Sequence, residues 1–62
     1  MLTFTESVLR ELRTLQEDTI GHVLSGNVPD MERYKFLMGR LEGLKLAVEA
    51  VKQLAEKHSD DD

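Results

Sequence analysis

The chain has 62 residues, of which 40% are hydrophobic and 32% are charged, with no cysteine and a formal net charge of −4. This length limits it to one domain near the size at which a hydrophobic core is marginal, and no disulfide or thiolate–metal site can reinforce that core. The negative charge argues against a general nucleic-acid binder, and no apolar run approaches the ~20 residues that span a bilayer.

The first helix is predicted at about residues 4–25. Thr3 and Glu6 have the Thr-x-x-Glu spacing of a capping box, although Thr5 is a competing cap. The apolar residues, together with Thr19, fall on one face of ordinary width. They are Val8, Leu9, Leu12, Leu15, Ile20 and Val23. This helix is therefore expected to have a single partner side.

A connection follows at residues 25–30. Gly26 can take the left-handed conformation that closes a helix, Pro29 disfavours helical geometry before it, and Asp30 can cap a new helix. A connection this short usually joins antiparallel neighbours. The chain is therefore predicted to be all-α, a single-domain antiparallel helical hairpin over residues 1–62.

The second helix is predicted at about residues 30–57 and has two apolar sets. The first set, the seam, alternates in steps of three and four like the a and d positions of a heptad. Its members are Tyr34, Leu37, Leu41, Leu44, Val48, Val51 and Ala55. The second set, the flank, lies beside it: Phe36, Gly39, Gly43, Leu46, Ala47, Ala50 and Leu54. The two sets occupy more than half of the circumference, so one antiparallel helix can hardly cover both, and a further copy or another partner is expected to complete a bundle.

The two glycines of the flank each cost the helix roughly 1 kcal/mol relative to alanine. Gly39, Gly43, Ala47 and Ala50 form a ladder of small residues, along which another backbone can approach closely and gain dispersion contacts. Tolerated glycines, or a kink at one of them, are the alternative. The predicted interaction residues are Tyr34, Phe36, Leu37, Gly39, Leu41, Gly43, Leu44, Ala47, Val48, Ala50, Val51 and Leu54.

Residues that carry chemistry are few. His22 and His58 have no cysteine beside them and lack the convergent spacing of a zinc site. The serines have no nucleophile-elbow context, and the carboxylates alternate with lysine and arginine at ordinary surface spacing. Two helices also offer little concave volume. The sequence therefore predicts no enzyme, no cofactor, no metal and no small-molecule substrate.

The charged segments are also interpreted as surface. Residues 58–62, HSDDD, are expected to be a solvated acidic end, because aspartates oppose the dipole at a helix C-terminus. Arg33, Lys35 and Arg40 cluster near Tyr34, whose ring can in principle stack on an RNA base. Burial is the simpler prediction for this ring, because Tyr34 begins the seam. These cations do not form a continuous stripe, so nucleic-acid binding is not the favoured interpretation.

Residues 24–50 combine a Ser-Gly loop and an acidic helix start with a tyrosine, a leucine, two glycines, a leucine and an alanine that lead into a charged helical end. The positions in the helix are Tyr34, Leu37, Gly39, Gly43, Leu44 and Ala47. This pattern resembles small helical-hairpin proteins of tailed bacteriophages. The resemblance implies a short helical virion or virion-assembly component and transfers no catalytic residue.

We therefore expect a structural or assembly protein that acts through helix–helix packing, with copies of itself or within a larger assembly. Within the resemblance it is a minor capsid, neck or tail component, located in the virion or the host cytoplasm. The first segment, MLTFTESVLRELR, lacks the pattern of a secretory signal, so a soluble protein is expected. The alternatives are a small adaptor or inhibitor of a host or phage enzyme and, third, an RNA-binding hairpin dimer.

Overall fold

The computed structural model describes residues 2–26 and 29–58, which form two α-helices. Helix α1 spans Phe4–Leu24 and helix α2 spans Met31–Lys57. The helices pack side by side, and the first turn of α1 lies beside the last turn of α2, so they run antiparallel. No β-strand occurs in these two ranges. The prediction of an all-α helical hairpin is confirmed.

Helix α1 begins with the predicted capping box. The amide of Glu6 donates to the Thr3 hydroxyl oxygen at 3.1 Å, and the amide of Thr3 donates to Glu6 Oε1, also at 3.1 Å. Of the two competing caps, Thr3 is therefore the one in use. The bonds from the Thr3 backbone and then the Thr3 side chain hold the pKa of Glu6 below its ordinary value of 4.5.

The connection uses the predicted turn chemistry. Gly26 has φ of +79°, in the left-handed region that glycine enters without steric cost. The amide of Ser25 donates to the Gly21 carbonyl at 3.0 Å and closes α1. Asp30 caps α2 by accepting from the amide of Arg33 at 2.7 Å. Residues 27–28 of the predicted connection and residues 59–62 of the predicted acidic end lie outside the described residues.

The seam of α2 packs against α1. Leu37 is 4% exposed and Val48 is 8% exposed. The rest of the seam beyond Tyr34 is half-buried: Leu41, Leu44, Val51 and Ala55. Opposite it lie the half-buried residues of α1, which include Val8, Leu9, Leu12, Leu15 and Val23. The face of α2 that meets α1 is therefore the seam, a choice that the sequence left open.

Tyr34 corrects one expectation. As the first member of the seam it was predicted to be buried, but it is 42% exposed. It lies in the first turn of α2, at the edge of the helix pair, beside the last turn of α1. The ring of Tyr34 therefore has apolar neighbours on one side only. For this reason it stays partly exposed, although it belongs to the seam.

The hairpin is elongated. Its Cα radius of gyration is 14.7 Å, whereas a compact domain of this length has about 11 Å. Its accessible surface is 5085 Å², about 1,000 Å² more than mass scaling gives for a compact monomer, roughly 4,100 Å². Little of the apolar surface is fully removed from water. In the described part of the chain, neither helix has a stretch long and apolar enough to cross a membrane.

Candidate interaction surface

The flank of α2 points away from α1. Its three largest side chains, Phe36, Leu46 and Leu54, are 55–57% exposed. Among its small residues, Gly39, Gly43 and Ala50 are exposed, and Ala47 is half-buried at the border with the seam. The predicted interaction residues therefore separate into a seam that is used inside the hairpin and a flank that is not.

The two glycines have no role inside the hairpin. A Cβ atom built on Gly39 or on Gly43 meets no atom within 4 Å other than those of its own helical turns. Helix α1 therefore does not approach the ladder, and alanine fits at both positions without a clash. No contact within the hairpin therefore compensates for the lower helix propensity of these two glycines. Either a contact with another molecule compensates for it, or the helix simply tolerates it.

The flank continues onto α1 at the open end of the hairpin. Phe4 is 85% exposed and shares a shallow groove of about 300 Å³ with Leu54. The remaining lining residues are Thr5, Val8, Val51, Ala55 and His58. One exposed aromatic ring of α1 therefore extends the apolar surface of α2.

A more polar groove lies at the other end of the flank. Arg33 and Arg40 line it together with Asp18, His22 and Phe36. The Arg33 guanidinium lies 5.1 Å from the centroid of the Phe36 ring, a cation–π contact. Lys35, the third cation of the predicted cluster, is not among the residues that line this groove. The three cations therefore do not share one binding surface.

Arg40 also crosses to α1. Its Nε donates to the hydroxyl of Thr19 at 3.2 Å, and that hydroxyl donates to the Leu15 carbonyl at 2.8 Å. Thr19 is only 3% exposed. The Nε of the arginine closest to the middle of the flank is therefore bonded to α1, although Arg40 as a whole is exposed.

A second apolar surface, which we call the turn groove, lies near the connection on the other side of the hairpin. It is lined by Ile20, Val23, Leu24, Tyr34, Met38 and Leu41. Leu24 is 79% exposed, and Ile20 is 42% exposed. Neither Leu24 nor Met38 belongs to the predicted interaction residues or to the predicted apolar faces. The signal was present, because both are large apolar residues outside the predicted helix faces and close to the turn.

The polar side chains of the described residues form neither a metal site nor a group of unpaired buried atoms. In the ranges 2–26 and 29–58, no group of three or more His, Asp or Glu side chains could hold a metal ion. Within the same ranges, every buried side-chain nitrogen and oxygen has a hydrogen-bond partner. The two histidines lie in separate grooves at opposite ends of the hairpin.

No protein family, no curated protein and no solved structure matches this chain. The functional conclusion therefore depends on the fold and on the two exposed apolar surfaces.

Proposed function

We propose that this hairpin is a non-enzymatic assembly protein that acts by packing the flank of α2 against a helix of another protein molecule. One observation carries the proposal: α1 covers the seam, and the apolar flank stays exposed on the same helix. A soluble helix normally has one apolar stripe and a polar remainder. A second apolar stripe on α2 is explained by a second partner.

The energetics support the same conclusion. Fully burying a leucine or phenylalanine side chain contributes about 1.5–3 kcal/mol, and Phe36, Leu46 and Leu54 are each more than half exposed. Among its described residues, the hairpin itself buries only two apolar side chains, Leu37 and Val48, and neither is fully buried. Packing the flank would therefore remove a substantial further area of apolar surface from water.

Within the resemblance to phage hairpin proteins, the assembly is a virion, and the chain is a minor capsid, neck or tail component. Two features support this: the pattern of residues 24–50 and an elongated hairpin that presents a contact surface along its length. Mass spectrometry of purified particles should find the chain at a fixed ratio to the major capsid protein. A chain found only in the soluble fraction would contradict the virion assignment and leave helix packing as the function.

A second candidate function is that of a small adaptor or inhibitor that docks on an enzyme. The turn groove favours it, because the groove is apolar and contains Met38, whose flexible side chain adapts to different partners. Substituting Leu24 with aspartate should abolish docking by this groove. The same change should leave assembly through the flank intact.

Sedimentation equilibrium, with melting followed by circular dichroism at several concentrations, tests the main proposal. The parent is expected to associate and to melt at higher temperature as its concentration rises. Leu46→Glu should remove this dependence while keeping the helix content, since Leu46 is exposed in the hairpin. Lys52→Gln lowers the net charge by the same one unit on the polar side of α2 and should behave as the parent. Equal association of all three proteins would show that the flank is not the contact.

A further inference from the structure

Building on the proposed function, we propose that the partner of the flank is a second copy of this chain, with the two α2 helices antiparallel about a two-fold axis between Leu44 and Lys45. A two-fold interface uses the same patch on both copies and must be self-complementary. The flank has this property in the sizes of its residues and in its charges.

The sizes of the flank residues are complementary across this axis. In an antiparallel pair, a residue before the axis faces one at the same distance after it. Gly39 then faces Ala50 of the second copy, and Gly43 faces Leu46 of the second copy. Leu46 is 56% exposed, and the space above Gly43 is open, so a bulky side chain meets a gap twice in each pair. This arrangement gives the two glycines a packing role that α1 does not give them.

The ends of the flank are apolar as well. Phe36 faces Gln53 of the second copy, and Leu54 of that copy lies one position further along α2. Phe36 and Leu54 are each exposed by more than half. Phe4 shares a groove with Leu54 on the same chain and so extends the apolar surface at this end.

The charges select the antiparallel direction. Glu32 and Lys57 are exposed, they lie on the flank side of α2, and they are equally far from the proposed axis. An antiparallel pair places Glu32 opposite Lys57 of the second copy at both ends. A parallel pair would instead place like charges together at both ends.

The flank offers an extended contact surface. From Phe36 to Leu54 it extends about 27 Å along α2, at 1.5 Å per residue. A stable interface buries about 800 Å² on each partner. The chain exposes about 1,000 Å² more than a compact monomer of its mass, against its total of 5085 Å², and the exposed flank contributes to this surplus.

Charge reversal tests the pairing. Glu32→Lys alone and Lys57→Glu alone each replace two attractive contacts with two repulsive ones. Each variant should raise the dimer dissociation constant roughly tenfold at low salt. An equimolar mixture of the two single variants should recover parental affinity, because each end of the mixed pair again joins opposite charges. Glu49→Lys, on the polar side of α2, is the matched control and should leave the dissociation constant unchanged.

The double variant with both reversals separates pairing from helix stability. Each reversal also opposes the helix dipole, so a loss caused by weaker helix ends would be largest in the double variant. Charge pairing predicts the opposite, which is recovery of parental affinity. Single variants that dimerise as tightly as the parent, or a mixture that does not recover, would overturn the antiparallel pairing. Sensitivity of association to Leu46→Glu would in that case still support the proposed function. A parent that stays monomeric at millimolar concentration would overturn the second copy as the partner.

Discussion

Arg40 on α2 donates from Nε to the hydroxyl of Thr19 on α1, at 3.2 Å, and Thr19 has the lowest exposed fraction of any described residue, 3%. The hydroxyl both accepts this bond and donates to the Leu15 carbonyl at 2.8 Å. A buried polar group between two otherwise apolar surfaces favours the one alignment in which it is satisfied. This contact therefore helps to set the position of α1 along α2.

A double-mutant cycle should measure this contact. Thr19→Val and Arg40→Met remove the hydrogen bond while keeping most of the packing volume. The coupling between them should be about 0.5–1 kcal/mol in the free energy of unfolding, obtained from urea titrations. Thr14 also donates to a carbonyl one turn back, at Arg10, but it is exposed. A cycle with Thr14→Val should give no coupling to Arg40, and equal couplings in the two cycles would contradict a specific contact across the helices.

The same substitution on the two faces of α2 should have very different effects. Leu37 is 4% exposed, whereas Leu46 is 56% exposed. Leu37→Ala should lower the free energy of unfolding by about 2–4 kcal/mol, a large part of the stability of so small a core. Leu46→Ala should lower it by less than about 0.5 kcal/mol when the protein is dilute enough to be monomeric. Urea midpoints measured in the same dilute buffer make the comparison, and similar losses would place Leu46 in the core.

The capping box of α1 should make stability depend on pH. The pKa of Glu6 is lowered in the folded chain by the bonds from Thr3, so the ionised form stabilises the fold. That stabilisation is fully present above the ordinary value of 4.5 and is lost as the pH falls through the lower folded value. The difference in stability between the parent and Glu6→Gln should therefore shrink below about pH 4.

A second background checks the origin of that effect. Thr3→Pro removes both the amide donor and the hydroxyl that bond to Glu6. The backbone of Thr3 already has a φ of −70°, which proline can adopt. In this background, Glu6→Gln should produce a much smaller pH-dependent difference. An undiminished difference in thermal melts between pH 3 and pH 7 would show that the capping box is not its source.

The glycines of the flank should oppose stability and favour association. Gly43→Ala should raise the free energy of unfolding of the dilute monomer by up to about 1 kcal/mol, because a Cβ fits there and helix propensity improves. It should also weaken association, since the added methyl group occupies the gap for a partner. Gly21→Ala in α1 is a matched control, because Gly21 is likewise exposed with open space around it. Gly21→Ala should stabilise the monomer without weakening association, and the same behaviour from Gly43→Ala would contradict the packing role.

The parts of the fold that depend on local chemistry are predictable from sequence. Thr3, Gly26 and Asp30 each act within a few residues, through a cap or a turn, and each occupies its predicted role. The face of α2 that meets α1 was not predictable, because the seam and the flank both carry large apolar residues. Periodicity describes which residues share a face, but burial also depends on where the neighbouring helix ends. Tyr34 shows this, since it has a seam position and no cover on its outer side.

The two exposed apolar surfaces point in different directions, the flank on one side of the hairpin and the turn groove on the other. The proposed two-fold pairing uses the flank of each copy and closes on itself, so it would not propagate. The turn grooves of Ile20 and Leu24 would then face outward, one on each copy. The proposed pair would therefore be bivalent, with two equivalent surfaces for neighbouring molecules on a closed unit.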